Sequence, residues 1–316
     1  VRAARSAQCG VRGPRAGRAA KRRRGKQAAP RAGAMAANTA NLLDQRTELD
    51  LDNIRKSLQR MEDSIIFSLI ERCQYKRNAE VYKGDCSQLG EFKLHQLKSA
   101  GSNGCLGDWF IYQTECLHSQ VRRYQHPTEF AFFGPLPEPS LGSTSGNRTS
   151  GEPILAPVPP SAVVNQRLLA VYRQEMIPAV CEDGDCGNHG STAVQDVHCL
   201  QTMATRIYYG LFVAESKFRT EKEKATKLIE SRDREGLMDF ITKKDVEEKN
   251  IQRVILKART FSQNISAGEV GQLAPAQSTE TTYKVNPDLV GDMFRDHIMP
   301  LTKEVEVEYL LARLST

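Results

Sequence analysis

Between Val197 and Phe218 the chain repeats an apolar side chain every three or four residues: Val197, Leu200, Ala204, Ile207, Leu211, Ala214 and Phe218. That spacing sets all seven on one face of an α-helix, whereas a strand would need alternation. A helix beginning near Ser191 and running for about seven turns follows. A stripe of that length can be kept from water only by other helices, so the fold is predicted to be all-α.

The rest of the chain agrees. Ile54, Leu58, Met61, Ile65 and Leu69 predict a helix over 52–78 with Asp52 as its cap. A second is predicted within 105–123, through Trp109, Ile111, Cys116 and Val121, ending in Arg122-Arg123. Residues 163–180 read as helical up to Pro178, shorter helices fit 221–231, 233–242 and 245–261, and a last helix over 288–314 is bent or broken near Pro300. Pro135, Pro137, Pro139, Pro153, Pro157, Pro159 and Pro160 remove backbone donors from 134–162, which reads as a long loop. Glu182–Gly190 reads as another loop, and 266–280 as a polar connection. There is no alternating pattern, no internal repeat and no glycine-rich phosphate loop. The expectation is a single helical-bundle domain over 35–316, with long central helices and short satellite helices.

The formal charge of +6 is misleading. Residues 1–34 hold eleven Lys and Arg and no acid; without them, 33 basic residues face 38 acidic ones. The folded part is mildly acidic, which argues against a nucleic-acid surface. The longest apolar run, Ile65 to Ile70, is interrupted by Ser68 and is far short of the roughly 20 residues a membrane span needs. The leader lacks the apolar centre of a secretory signal. Cys73, Cys86, Cys105, Cys116, Cys181, Cys186 and Cys199 are therefore expected as free thiols in a reducing compartment, the cytoplasm, or a plastid if residues 1–34 act as a transit segment.

Arg206 and Lys217 stand eleven residues apart on the long helix and return to the same azimuth three turns on. Both lie among apolar neighbours, where a cation needs an anionic partner. Thr302 and Glu306 are stacked one turn apart on the last helix. Arg55, one turn into the first helix, reads by itself as a surface arginine.

Longer segments carry more. Asn53-Ile54-Arg55 with Arg60-Met61-Glu62-Asp63-Ser64-Ile65-Ile66-Phe67, then Arg206-Ile207-Tyr208-Tyr209-Gly210 leading into Phe212-Val213-Ala214-Glu215-Ser216-Lys217-Phe218, resemble the yeast and plant chorismate mutases. So does Pro300-Leu301-Thr302-Lys303-Glu304-Val305-Glu306-Val307-Glu308-Tyr309-Leu310-Leu311. The resemblance spans about residues 48–314. It implies an all-helical isomerase that rearranges chorismate to prephenate with no metal, cofactor or covalent intermediate. It also implies that Arg55, Arg206 and Lys217 hold the substrate's carboxylates, with Lys217 and Glu306 at the ether oxygen, and that Glu247 and Thr302 contact the ring hydroxyl or steer the site. Lys243 departs from the Asn often found there in fungal members. A Glu at 306 donates only when protonated, so activity is expected to favour mildly acid pH.

The same resemblance implies an aromatic amino-acid effector site at Arg122, Arg123, Asn188, Gly190 and Ser191. There tryptophan activates and tyrosine inhibits across a homodimer. Val194, which stands where the yeast enzyme has Thr, departs from that pattern. Asn188-His189-Gly190-Ser191 would also serve as a plain helix entry. Two other readings are open to the residues. Cys181, Cys186, His189, His198 and Cys199 invite zinc, but their spacing does not fit the usual ligand pattern. A non-catalytic helical interaction protein would also need apolar-striped helices, but it has no use for Arg55, Arg206, Lys217 and Glu306 converging on one pocket.

Overall fold

A carboxylate starts the first helix. Asp50 accepts from the backbone N–H of Asp52 at 3.3 Å, so α1 (Leu51–Arg72) begins one residue before the predicted start. Asp52 falls in its first turn. The helix ends six residues earlier than its apolar period suggests, because Arg72 turns back on the chain that follows. Its guanidinium donates to the carbonyls of Tyr75, Lys76 and Arg77 at 3.2, 3.1 and 3.1 Å, which draws that segment into a turn. The computed structural model describes residues 49–84, 97–98, 101–140, 154–264 and 282–314, all within the unit Leu43–Thr316. The basic leader, residues 141–153 of the proline-rich segment and the polar stretch 266–280 lie outside the described residues.

Helix α2 (Leu106–Gln120) is capped by the Cys105 sulfur. It stops before Arg122, whose φ of 65° is left-handed, and Arg123 enters a 3₁₀ turn. Helix α3 (Asn165–Val171) continues through a π turn (Tyr172–Met176) into α4 (Ile177–Val180). The sequence predicts a stop at Pro178; the helix instead passes it. The same device recurs where α10 (Pro287–Met293) passes through a π turn (Phe294–Ile298) into α11 (Met299–Ala312), which carries Pro300. In each case the carbonyl four residues before the proline, which its ring would strike, falls in the widened turn. The helix expected to be bent or broken near Pro300 is not broken there; a π turn precedes the proline and the helix runs on through it.

The long stripe is two helices, α5 (His189–Tyr208) and α6 (Gly210–Thr220), parted by Tyr209. All seven stripe residues are buried. Helices α7 (Lys222–Glu230), α8 (Arg234–Ile241) and α9 (Lys244–Phe261) complete the set. α5 is central, packing against α1, α2, α3, α6 and α11. The described residues hold no strand, only one isolated bridge between Gln263 and Tyr283. None of the described helices is long and apolar enough to cross a membrane.

α1 and α5 are also locked by a buried ion pair. Arg72 Nε lies 2.6 Å from Asp196 Oδ1, and Tyr172 and Tyr82 donate to the same carboxylate at 2.7 and 2.8 Å. Neither charged side chain is more than 4% exposed. Removing one partner strands the other in an apolar interior, which costs about 3–5 kcal/mol. Asp196→Ala is expected to lower the urea midpoint by a corresponding amount; an unchanged midpoint would show that the pair is not a clamp.

Candidate active site

The junction of α5 and α6 meets α11 closely because residue 210 has no side chain. A Cβ there would lie 2.8 Å from Thr302 Cγ2 and 3.1 Å from Glu306 Cγ and Oε1. Thr302 turns its methyl to the junction and donates its hydroxyl to the Ile298 carbonyl at 2.7 Å. Glu306, one turn further along α11, is buried beside both cations of the long stripe.

Arg206 lies near the end of α5, only 7% exposed, and its Nε and Nη1 have no hydrogen-bond partner. Burial pushes the guanidinium below its ordinary value, and Glu62 and Glu306 oppose that shift. Lys217, on α6, donates from Nζ to the Ile241 carbonyl at the C-terminus of α8. A cation there satisfies one of the carbonyls that a helix end leaves unpaired. Burial lowers its pKa as well, Glu306 again opposing. Burial acts in the other sense on Glu306, raising it to about 7, with Lys217 and Arg206 pulling it down. Glu247, in the first turn of α9, lies close enough to raise Glu306 further, and it pairs with Lys303 at 3.1 Å.

Five of the six predicted catalytic residues, Arg206, Lys217, Glu247, Thr302 and Glu306, are thus brought together by α5, α6, α9 and α11. Arg55 does not join them. Its side chain is 62% exposed and pairs with Asp52 at 2.9 Å, one turn earlier on the surface of α1. The near partner wins because both groups sit on the same exposed helix face. Lys243 stands exposed at the N-cap of α9 without making a side-chain cap, and its charge depresses Lys217.

Sequence reading missed the carboxylate that faces Arg206 from α1. Glu62 is 1% exposed, held by Arg253 at 2.6 Å and Lys257 at 3.1 Å. A signal was present: Glu62 lies one turn beyond Leu58 on the apolar face of α1, and Arg253 and Lys257 are themselves one turn apart on α9.

The predicted effector residues form two separate groups. Arg123 bonds Glu129 and Gln201, each at 3.0 Å, placing it midway along α5. Asn188, Gly190 and Ser191 are at the start of α5, where the space beside Gly190 is open. Ten residues of helix, about 15 Å, separate Gln201 from Ser191. The suggested zinc ligands likewise have other partners or directions: Cys181 accepts from Arg72, Cys186 from Asn78, and His189 bonds Asp185. Among the described residues no three metal-ligating side chains cluster.

A family model described as chorismate mutase type II matches residues 189–307, which contain all five clustered residues. Chorismate mutase 1, chloroplastic, of Petunia hybrida is 41% identical over 275 residues, spanning 87% of this chain and 79% of its own. The chain belongs to the chorismate mutase family. The crystal structure of Aro7p chorismate mutase from Candida albicans in complex with L-Trp has a TM-score of 0.73 and 35% identity, covering 85% of this chain and 94% of its own. AtCM1 with tyrosine bound in its allosteric site has a TM-score of 0.69 and 39% identity over 86% of this chain and 99% of its own. This chorismate mutase is therefore an isomerase of the all-helical kind, and the scaffold reading falls away.

The carboxyl of Glu306 gives the site a pH dependence. Only the protonated form of a carboxyl can donate a hydrogen bond; with a pKa of about 7 it is present below neutrality and is lost as pH rises through that value. Turnover is expected to fall on the alkaline side with Glu306 and to lose that limb in Glu306→Gln, whose amide stays a neutral donor. An identical pH–rate profile in the two proteins would remove Glu306 from the donor role.

Proposed function

We propose that this chorismate mutase turns chorismate into prephenate by holding the dianion in its compact, reacting shape between α5, α6, α9 and α11. The rearrangement is an intramolecular [3,3] shift, so no nucleophile is required. What the site must supply is orientation and donors aimed at the charge that develops as the ether C–O bond breaks. Arg206 takes a carboxylate through its paired N–H groups, a geometry that suits the guanidinium fork. Lys217 and protonated Glu306 donate to the ether oxygen from opposite helices. Glu247 accepts from the ring hydroxyl, and Thr302 sets the approach of α11. Arg55 closes on the second carboxylate after leaving Asp52, an exchange of one exposed ion pair for another that costs little.

The observation that supports this reading most is the buried Arg206 guanidinium with Nε and Nη1 unpartnered. Buried polar groups are nearly always satisfied, so a buried guanidinium with unpartnered N–H groups has donors open to an anion. Following chorismate absorbance tests it. Arg206→Ala is expected to reduce the rate by about a hundred- to a thousandfold, the usual loss for one donor to developing charge; activity within a few-fold of the parent would overturn the assignment.

Regulation follows the two-group geometry. Arg122-Arg123 and Asn188–Ser191 lie too far apart on one chain to hold a single amino acid together, so the effector site is composite, with one group from each protomer of a homodimer. Tryptophan and tyrosine are its ligands, in keeping with the amino acids bound in the Candida and AtCM1 structures. Initial rates titrated with each amino acid are expected to rise with tryptophan and fall with tyrosine. Flat responses to both would place this protein among unregulated enzymes.

A further inference from the structure

At the edge of the site stands an ion pair that the proposed chemistry leaves unused. Lys303, next to Thr302 on α11, donates from Nζ to Oε2 of Glu247 in the first turn of α9, at 3.1 Å. Oε1 of Glu247 has no hydrogen-bond partner among the described residues. Two other ion pairs tie α11 to its neighbours, Glu304 with Arg167 of α3 and Glu308 with Arg234 of α8. In both, the arginine side chain is 54% exposed, and pairs so open to water contribute little. The side chains of Lys303 and Glu247 are each 25% exposed, and the charge of Glu247 is felt by both Lys217 and Glu306. This pair therefore bridges two of the helices that frame the site, with one carboxylate oxygen taken and the other left over.

We propose that Lys303 is a positioning residue for the rearrangement: its ammonium fixes the Glu247 carboxylate by one oxygen, so that the other is presented to the ring hydroxyl of the substrate. The inference rests on Glu247 as the acceptor of that hydroxyl. A glutamate side chain left to itself samples many rotamers, and ordering it on binding costs free energy. The ion pair meets that cost before the substrate arrives, so chorismate finds a carboxylate already in place. Lys303 acts through Glu247 and touches no reacting atom.

The same ammonium has an electrostatic effect that a plain fastening of α9 to α11 would not need. Glu306 is faced by Lys217 from α6 and Arg206 from α5, which pull its pKa down, and by Glu247 from α9, which pushes it up. Lys303, three residues away on α11, pulls it down and so offsets the carboxylate it holds. With Lys303 gone, the push from Glu247 is no longer countered from α11, and the Glu306 carboxyl keeps its proton to higher pH.

Initial rates of the full-length protein against chorismate concentration test this. Below the pH at which Glu306 loses its proton, Lys303→Met is expected to raise KM about tenfold with kcat little changed, the mark of lost binding shared by ground and transition states. Lys303→Arg, which keeps a cation at this single contact, is expected to restore KM, and Glu304→Gln to leave it at the parent value. In a Glu247→Gln background, which raises KM by itself, Lys303→Met is expected to add little. The alkaline limb of kcat/KM is expected to lie at higher pH in Lys303→Met than in the parent. An unchanged KM in Lys303→Met beside a raised KM in Glu247→Gln, an equal loss from Lys303→Met in both backgrounds, or a limb that stays in place would overturn the proposal and leave Glu247 its role. If Glu247→Gln itself has the parent's KM and kcat, Glu247 loses the ring hydroxyl and Lys303 loses its role with it.

Discussion

The missing side chain at Gly210 decides where α11 can rest, and the site depends on that contact. With Thr302 and Glu306 lying against the backbone where α5 gives way to α6, a carboxyl reaches the interior between a guanidinium on one helix and an ammonium on the next. Any Cβ at 210 would meet Thr302 Cγ2 at 2.8 Å and force the helices apart.

Burial then acts on three ionisable groups in a single direction, towards neutrality. It lowers Arg206 and Lys217 and raises Glu306 to about 7, while their mutual attraction opposes the shift. Arg206 keeps Nε and Nη1 without a partner, and on the proposed function a dianion would supply the negative charge that faces them. Electrostatic preorganisation of this kind suits a reaction whose only requirement is to be folded and stabilised at one oxygen. Glu62, with Arg253 and Lys257, extends the same network to α1, so the helices are joined by charge as well as by packing.

Helix existence was legible because the apolar period of 3.6 is a local property, and the predicted stripes became buried or partly buried helix faces, except at Val121, which lies beyond the end of α2 and is half exposed. Helix limits were less so. Pro178 and Pro300 read as stops, yet π turns absorb both, and Arg72 ends α1 through carbonyls that no periodicity predicts. Among the site residues, Arg206, Lys217, Thr302 and Glu306 were visible as pairs on a helix face. Glu247 came from resemblance, and Glu62 and Gly210 were overlooked because their significance lies in what a distant segment places against them. Arg55 shows the converse: its motif marks it, but its side chain answers to Asp52 one turn away.

By itself, then, the sequence determined an all-helical chain, the faces its helices bury, and membership of the chorismate mutase family, since these follow from spacing and from runs of residues that need no partner to be recognised. Only the tertiary structure decided which charges meet, which carboxyl is held near neutrality and which cation stays in water. Those depend on distance and desolvation between segments remote in the chain, and neither quantity is written in the order of residues.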